Sequence, residues 1–515
     1  MLRQLLQKGF LPRELPPVFN SVSFGNLIFA GTLPAAFIQG NRPEWSQPMH
    51  HNLSRVGGLR RRLTIPNPVN FYRLCEVFDA NEASILSASS GSPYSHTTPR
   101  LNPMSSRAIA TQSVDRAVVR AHSRVGARYV LKADIAQFYP SIYTHAVPWA
   151  AHTKTVAKQR MKDLNLYGNL LDKELQACQH GQTKGIAIGP DTSLAIAELL
   201  LTSVDISLSQ QCNILGGVRF IDDMELSFTS LSNAESALIA LEARLYEYEL
   251  QLNSNKTAIE ELPSEIESIF VTQLRAFIPA TQEGSPASWI DYFNRAFMLA
   301  KSNSSEGVLR YTVASLQRVE VTVVAWPMVQ SLLWQCIALD PGCLRLVLDI
   351  VVLNSHRSNL TIDNDMASLA INSLVEASAP VGHGSEVLWS IWAAMVLEIP
   401  LHGHSQTLIA GMEDGCVATL ATLAAHAGGV FDAGFSSALW ESWLVDECFK
   451  QEHWMFAYEC YNRGWYAVKI GSTDIGTNAA AMYLKSYGVT FLDPTAASDY
   501  VPAFEIDDGT TFTGY

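Results

Sequence analysis

The chain is poor in charge: charged residues are only 17% of its 515 positions, against 48% hydrophobic. That balance excludes disorder over most of the length. At this size one hydrophobic core no longer grows, so two or more domains are expected and a lone small binding module is excluded. Patterned cysteine is also missing. The eight cysteines (Cys75, Cys178, Cys212, Cys336, Cys343, Cys416, Cys448 and Cys460) form no CxxC pair and no Cys/His spacing. Neither zinc nor a secreted disulfide framework is therefore expected. Long apolar runs are absent as well; the nearest, LWSIWAAMVLEIPL at 388–401, is short for a bilayer span and carries Glu398. The opening MLRQLLQKGFLPRELPP lacks an apolar stretch ahead of a small-residue cleavage site, so no signal peptide is indicated. A cytoplasmic protein with no membrane partner is expected.

Net positive charge is lacking too, at −13 overall, which at first argues against a nucleic-acid partner. Placed along the chain, the charge says something different. Residues 1–190 hold 22 Lys/Arg against 10 Asp/Glu, whereas residues 261–515 hold 11 against 28. A polyanion site belongs in the N-terminal part, and the acidic half has another task.

Residues 1–70 are rich in Pro and Gly and read as an N-terminal extension ending in the basic cluster Arg55, Arg60, Arg61, Arg62 and the breaker-rich IPNPVN. From 71 to 270 helical stretches alternate with strand-like runs: RYVLKADI (128–135) and VRFIDDMELSF (218–228) are β-branched and aromatic, and 232–253 has helical spacing with Ser232 or Asn233 as N-cap. This is an α+β arrangement. Between 290 and 492 one-helix-long apolar segments follow each other, separated by Pro, Gly, Asn or Asp, among them AWPMVQSLLWQCIALD, SEVLWSIWAAMVLEI and FSSALWESWLVDECF. Successive helical hairpins fit a HEAT-like solenoid, and an irregular helical bundle fits equally by this criterion. Residues 493–515, acidic and aperiodic, read as a tail.

Two acidic motifs carry the chemistry. In ADIAQFYPSI a strand delivers Asp134, followed at once by Phe138 and Tyr139; in FIDD, Asp222 and Asp223 stand between two strand-like runs. Adjacent aspartates in a strand point to opposite faces, but at a hairpin tip both can approach one site. Three carboxylates converging there can hold two divalent ions for phosphoryl transfer. Between the motifs, Lys184-Gly185-Ile186-Ala187-Ile188-Gly189-Pro190 opens a helix, with glycines that let a backbone approach a substrate and a helix N-terminus that favours anions. Farther on, Lys256 follows an amphipathic helix, where a cation could neutralise or protonate a leaving pyrophosphate.

The succession strand-Asp-x4-Tyr, GxxxGP plus helix, aromatic-x-Asp-Asp and NxxKT, spanning about 125 residues, resembles the palm of reverse transcriptases. The wording DIAQFYPSIYTH, GIAIGPDTS and RFIDDMELSF, joined to a C-terminal helical array, looks most like bacterial defence-associated and abortive-infection reverse transcriptases. The resemblance implies fingers and palm followed by an all-α HEAT-like helical-repeat domain. It also implies RNA-directed DNA synthesis using two Mg²⁺ ions and dNTP substrates. Asp134, Asp222 and Asp223 would be the catalytic metal ligands, and Tyr139 the steric gate against the 2′-hydroxyl. Gly185, Gly189, Pro190 and Lys184 would form the motif B loop, and Lys256 the motif D lysine. Phe220 stands where the family usually has Tyr, and Lys184 where a Gln is common. Arg107 and the stripe Arg116, Arg120, Arg124, four residues apart, lie where fingers contact triphosphate and template. Family members imply a noncoding RNA partner, a DNA product, homo-oligomers, antiphage defence and, in some, priming on a protein hydroxyl. Tyr515, Tyr500, Tyr487 and Tyr483 are the C-terminal candidates. Terminal-transferase-like synthesis and a catalytically quiet RNA-binding scaffold are the competing readings.

Overall fold

The computed structural model describes residues 1–29, 32–38, 44–466 and 475–502, and about half of the chain is helical. Tyr515 lies outside the described residues.

The strands, in chain order, are β1 (Met49–Ser54), β2 (Arg60–Ile65), β3 (Arg100–Leu101), β4 (Ile109–Ala110), β5 (Tyr129–Asp134), β6 (Gly216–Phe220), β7 (Asp223–Phe228) and β8 (Ala258–Glu261). The central sheet has the order β6-β7-β5-β8 with antiparallel ladders throughout. Alternation in β5 puts Val130 and Leu131 into the core on its two faces, and the helix Leu231–Glu247 packs across β5, β7 and β8. That helix is capped by Ser230, whose Oγ accepts from Asn233 N (3.3 Å), two residues ahead of the expected cap. It ends at Glu247, earlier than the periodicity suggests, because Glu249 turns to a left-handed φ of 61° and Leu252 then pairs with Ile135 beside the sheet.

The helix Asp191–Gln211 is long and apolar enough to cross a membrane by length and composition, yet most of it is buried inside the protein. It also carries Glu198 and Asp205, both fully buried, into contact with Arg219 of β6. No other described helix meets that measure.

Beyond residue 290 the chain is helical. Trp326–Leu339, Asn364–Ser378 and Gly403–Ala410 pack successively in one layer. Leu344–Ser358, Gly384–Val396, Gly415–Ala427 and Trp454–Arg463 pack successively in another. FSSALWESWLVDECF yields only a short helix, Ala438–Glu441, followed by a 3-10 turn, Cys448–Lys450; Glu447 at φ 57° interrupts the path between them.

The first 70 residues are woven into this helical region. β1 packs on Gly384–Val396 and Gly415–Ala427; Trp454 Nε1 donates to Ile65 O (3.2 Å), and Trp389 Nε1 donates to Glu14 O (3.0 Å). Phe10, Phe24, Trp454 and Phe491 form one aromatic cluster, so both ends of the chain share a core. Residues 493–502 continue along it: Asp493 N donates to Val18 O (2.8 Å), and Tyr500 packs edge-on against Trp392 with its hydroxyl on Asp349.

Candidate active site

The site grows from the end of β5 and the tip of the β6–β7 hairpin. In the ladder Asp134 is the direct register partner of Asp223, and Phe220 pairs with Asp223 across the two-residue turn Ile221-Asp222. All three carboxylates are thereby delivered to one end of the sheet. The turn places Ile221, a β-branched residue, at φ 56°, a conformation costing about 1–2 kcal/mol. Two neighbours fix it: Ile221 N donates to Thr97 Oγ1 (3.0 Å), and Arg219 Nη1 donates to Ile221 O (2.9 Å).

Arg219 is the buried anchor of this hairpin. Its guanidinium reaches Glu198 Oε1 and Oε2 (3.0 and 2.9 Å) and Asp205 Oδ2 (2.7 Å), while Ser95 and Thr97 hydroxyls donate to Glu198 and the Ser92 hydroxyl to Asp205. Its backbone carries a neighbouring segment as well: Arg219 N donates to Tyr94 O and His96 N to Arg219 O. None of the sequence motifs marks these residues. The available signal was a cation inside a β-branched run, which is costly unless paired.

Each outer carboxylate has a cationic neighbour. Lys256 Nζ donates to Asp134 Oδ2 (3.0 Å) and Asn253 Nδ2 to Asp134 Oδ1 (2.9 Å). Arg120 Nη2 lies 3.4 Å from Asp223 Oδ2. The stripe anticipated from the sequence does form, on the helix Arg116–Ser123 and its cap Arg124, and it faces the palm: Arg116 stacks over the Phe220 ring (4.1 Å), and Arg124 Nε donates to Glu225 Oε1 (2.6 Å). Asp222 is pushed up to about 6 by desolvation, then by Asp134 and Asp223, with Arg61 offsetting part of the rise. Asp223 is also raised, by desolvation, and Arg120 and Arg116 oppose it. From the β1–β2 hairpin Arg55 senses both Asp134 and Asp222, so Arg55 and Arg61 contribute positive charge from above. Three crowded carboxylates, all hard oxygen donors, with Asp222 and Asp223 raised in proton affinity, fit a divalent cation of the Mg²⁺ class.

The motif B loop lies against the motif A turn. Gly185 N donates to Ile142 O (2.8 Å), Ile186 N to Tyr139 O (3.0 Å) and Thr64 N of β2 to Ile188 O (2.9 Å). Tyr139 sits on the short helix Phe138–Ser141, half-buried, just past Asp134. Gly185 has φ 87°; at Gly189, φ is 132° and a Cβ would come within 2.5 Å of Pro12 Cγ. Pro190 starts the helix Asp191–Gln211, and Lys184 is exposed at the lip of the loop. Arg107 is drawn into the scaffold: Nε donates to Asp191 Oδ1 (2.8 Å), Nη1 to Leu11 O (2.9 Å) and Nη2 to Gly189 O (3.1 Å). It thereby clamps the motif B loop to the N-terminal segment.

Residues 82–281 match the family model of reverse transcriptase (RNA-dependent DNA polymerase). That stretch, which contains Asp134, Asp222, Asp223, Tyr139, the Gly185–Pro190 loop and Lys256, is a reverse transcriptase domain, of the nucleotidyltransferase class. No curated protein matches the chain. Among solved structures, an apo telomerase from Candida tropicalis truncated from its C-terminal domain matches at 12% identity and TM-score 0.30 over 44% of this chain and 52% of its own. Apo telomerase from the same organism matches at 9% identity and TM-score 0.33 over 70% and 69%. Telomerase from Candida albicans with a fragment of telomeric RNA matches at 10% identity and TM-score 0.30 over 63% and 64%. The chain thus spans about half the length of the first of these.

Proposed function

We propose that this chain is an RNA-directed DNA polymerase in which Asp134, Asp222 and Asp223 hold two Mg²⁺ ions at the end of the palm sheet. One observation carries the reading: Asp134 and Asp223 are register partners with Asp222 at the adjoining tip, inside a matched reverse transcriptase domain. Bound there, the metals would supply an activated attacking hydroxyl and charge neutralisation at the leaving pyrophosphate. The chain's own residues do the rest. Arg219 and Thr97 hold the strained hairpin so that both its carboxylates keep their aim. Arg55 and Arg61 bring positive charge toward the triphosphate. Lys256, already at Asp134, is placed to donate a proton to the leaving group. Tyr139 narrows the sugar pocket against a 2′-hydroxyl, and the Gly185–Pro190 loop lets the template-paired base approach backbone.

The wording of the three palm motifs and the two-layered helical array support a narrower assignment: an antiphage-defence reverse transcriptase with a HEAT-like repeat domain. In this assignment it copies a noncoding RNA, assembles as a homo-oligomer, and extends a protein hydroxyl such as that of Tyr515. The exposed cation Lys184, standing where a neutral motif B residue is usual, favours a second reading in which synthesis runs without a template. Incorporation of labelled dNTPs on defined RNA, with and without the template, tests both. The double variant Asp222→Ala/Asp223→Ala should abolish incorporation and phage protection while leaving the melting profile cooperative. Full activity in that folded variant ends the enzymatic reading. Product that stays with denatured, nuclease-trimmed protein supports protein priming; freely separable DNA rejects it.

A further inference from the structure

We propose that His51, Asp414 and Cys416 bind one zinc-class divalent cation at the joint between the β1–β2 hairpin and the C-terminal helices, with a water completing its coordination. The donor atoms of the first three lie within 4.8 Å of one another and all three residues are buried, the one such set among the described residues. His51 Nδ1 is 2.9 Å from Asp414 Oδ2 and 3.1 Å from Oδ1. Asp414 Oδ1 also caps the helix Gly415–Ala427, accepting from Cys416 N (2.9 Å) and Val417 N (3.0 Å). Those bonds fix the carboxylate's direction, while Oδ2 has only His51.

A separate observation places an unsatisfied polar atom next to this group. His453 Nδ1 is sealed from solvent and has no hydrogen-bond partner. It lies beside Gly415, the residue between Asp414 and Cys416, where an added Cβ would stand 3.3 Å from it. Its ring is held by stacking on Trp443, with centroids 3.6 Å apart. A buried imidazole nitrogen without a partner is unfavourable. A water held at the ion's open position would donate to that atom and satisfy it. Gly384 closes the other side of the group, where a Cβ would collide with Asp414 Oδ2 and come within 3.2 Å of His51 Cε1.

The donor set decides the ion. Imidazole, thiolate and carboxylate together suit Zn²⁺, whereas the all-oxygen group of Asp134, Asp222 and Asp223 suits Mg²⁺. On binding, the Cys416 thiol proton leaves to solvent, the ring proton of neutral His51 resides on Nε2 so that Nδ1 can ligate, and the His51–Asp414 hydrogen bond gives way to two metal bonds. The ligands come from β1 and from the start of Gly415–Ala427, so the ion would tie two distant segments together. This site is independent of the polymerase reading.

Metal analysis of the full-length chain after exhaustive dialysis, followed by cobalt(II) replacement, tests it. The expected result is one zinc ion per chain, retained in Asp222→Ala/Asp223→Ala, and a cobalt–thiolate charge-transfer band that disappears in Cys416→Ser. A zinc chelator should also lower the melting temperature of the wild-type chain. Folded wild-type protein that takes up no stoichiometric zinc or cobalt overturns the proposal. So does a charge-transfer band that survives in Cys416→Ser, or a melting temperature indifferent to the chelator.

Discussion

Asp134 and Asp223 stand directly opposite each other across the β5–β7 ladder, and a different cation attends each, Lys256 on the first and Arg120 on the second. Side-chain ammonium and guanidinium groups thus occupy oxygens that a divalent ion would claim. Lys256 is well exposed, so its bond to Asp134 is worth about 0.2–1 kcal/mol. Lys256→Ala should therefore tighten divalent-cation binding by up to about fivefold. Calorimetric titration with Mn²⁺ reads this directly. The same variant should slow incorporation, since the proton donor is gone; unchanged or weaker metal binding would show that Lys256 does not compete.

Asp222 gives the site a pH signature. Its carboxyl is raised from 3.8 to about 6 in the fold, chiefly by desolvation and then by Asp134 and Asp223. Below its ordinary value the group is protonated in both folded and unfolded chains and has no effect. As pH rises toward 6 the unfolded chain ionises first, so the fold loses stability, and above 6 the loss is complete, on the order of 3 kcal/mol. Asp222→Asn should raise the metal-free melting temperature at pH 7.5, and the gain should fade as pH falls to about 4. Mg²⁺ should protect the wild type and not the variant. A gain independent of pH would assign it to something other than charge.

Arg219 joins three acceptors, Glu198, Asp205 and the Ile221 carbonyl, with no solvent exposure. Removing it leaves two buried carboxylates unpaired. Arg219→Ala should cost about 3–5 kcal/mol in urea denaturation. Arg219→Lys, which keeps the charge and loses the fork, should keep more stability than activity, because the Ile221 turn loosens while the charge remains. Equal losses in both measures would deny Arg219 a positioning role.

The palm was legible because its signals are local. β5 and the β6–β7 hairpin are short β-branched runs broken by one acidic turn, and the Gly185–Pro190 loop announces a helix start. Neither Arg219's partners nor the His51–Asp414 joint could be read in that way. Glu198 and Asp205 sit on an apolar helix, where they pass for surface positions, and His51 meets Asp414 across 363 residues of sequence. Cysteine spacing, the usual metal signal, is silent when the ligands are one cysteine, one aspartate and one histidine from two distant segments. Similarly, Pro and Gly made residues 1–70 look like an irregular extension, whereas Phe10 and Phe24 complete a core with Trp454 and Phe491. Arg107 stands before motif A in the sequence, but its partner Asp191 lies 84 residues on, so its clamp on the Gly189 loop carries no local signal.

Gly189 separates two ways in which a glycine can be required. Its φ of 132° is strained for any residue with a Cβ, and that Cβ would also meet Pro12 Cγ at 2.5 Å. Gly428, at φ 79°, would meet nothing within 4 Å. Gly428→Ala therefore reports backbone strain alone, about 1 kcal/mol, while Gly189→Ala adds a collision and should cost about 2–4 kcal/mol. Pro12→Ala removes most of the ring that stands in the way. Combined with Gly189→Ala it should recover part of the loss, giving a coupling energy of about 1 kcal/mol in a double-mutant cycle. Because Pro12 sits beside Leu11, whose carbonyl holds Arg107, the collision would also push the N-terminal segment off the motif B loop. The single variant should consequently lose more incorporation than its lost stability explains, and strict additivity in the cycle would show that Pro12 and Gly189 do not press on each other.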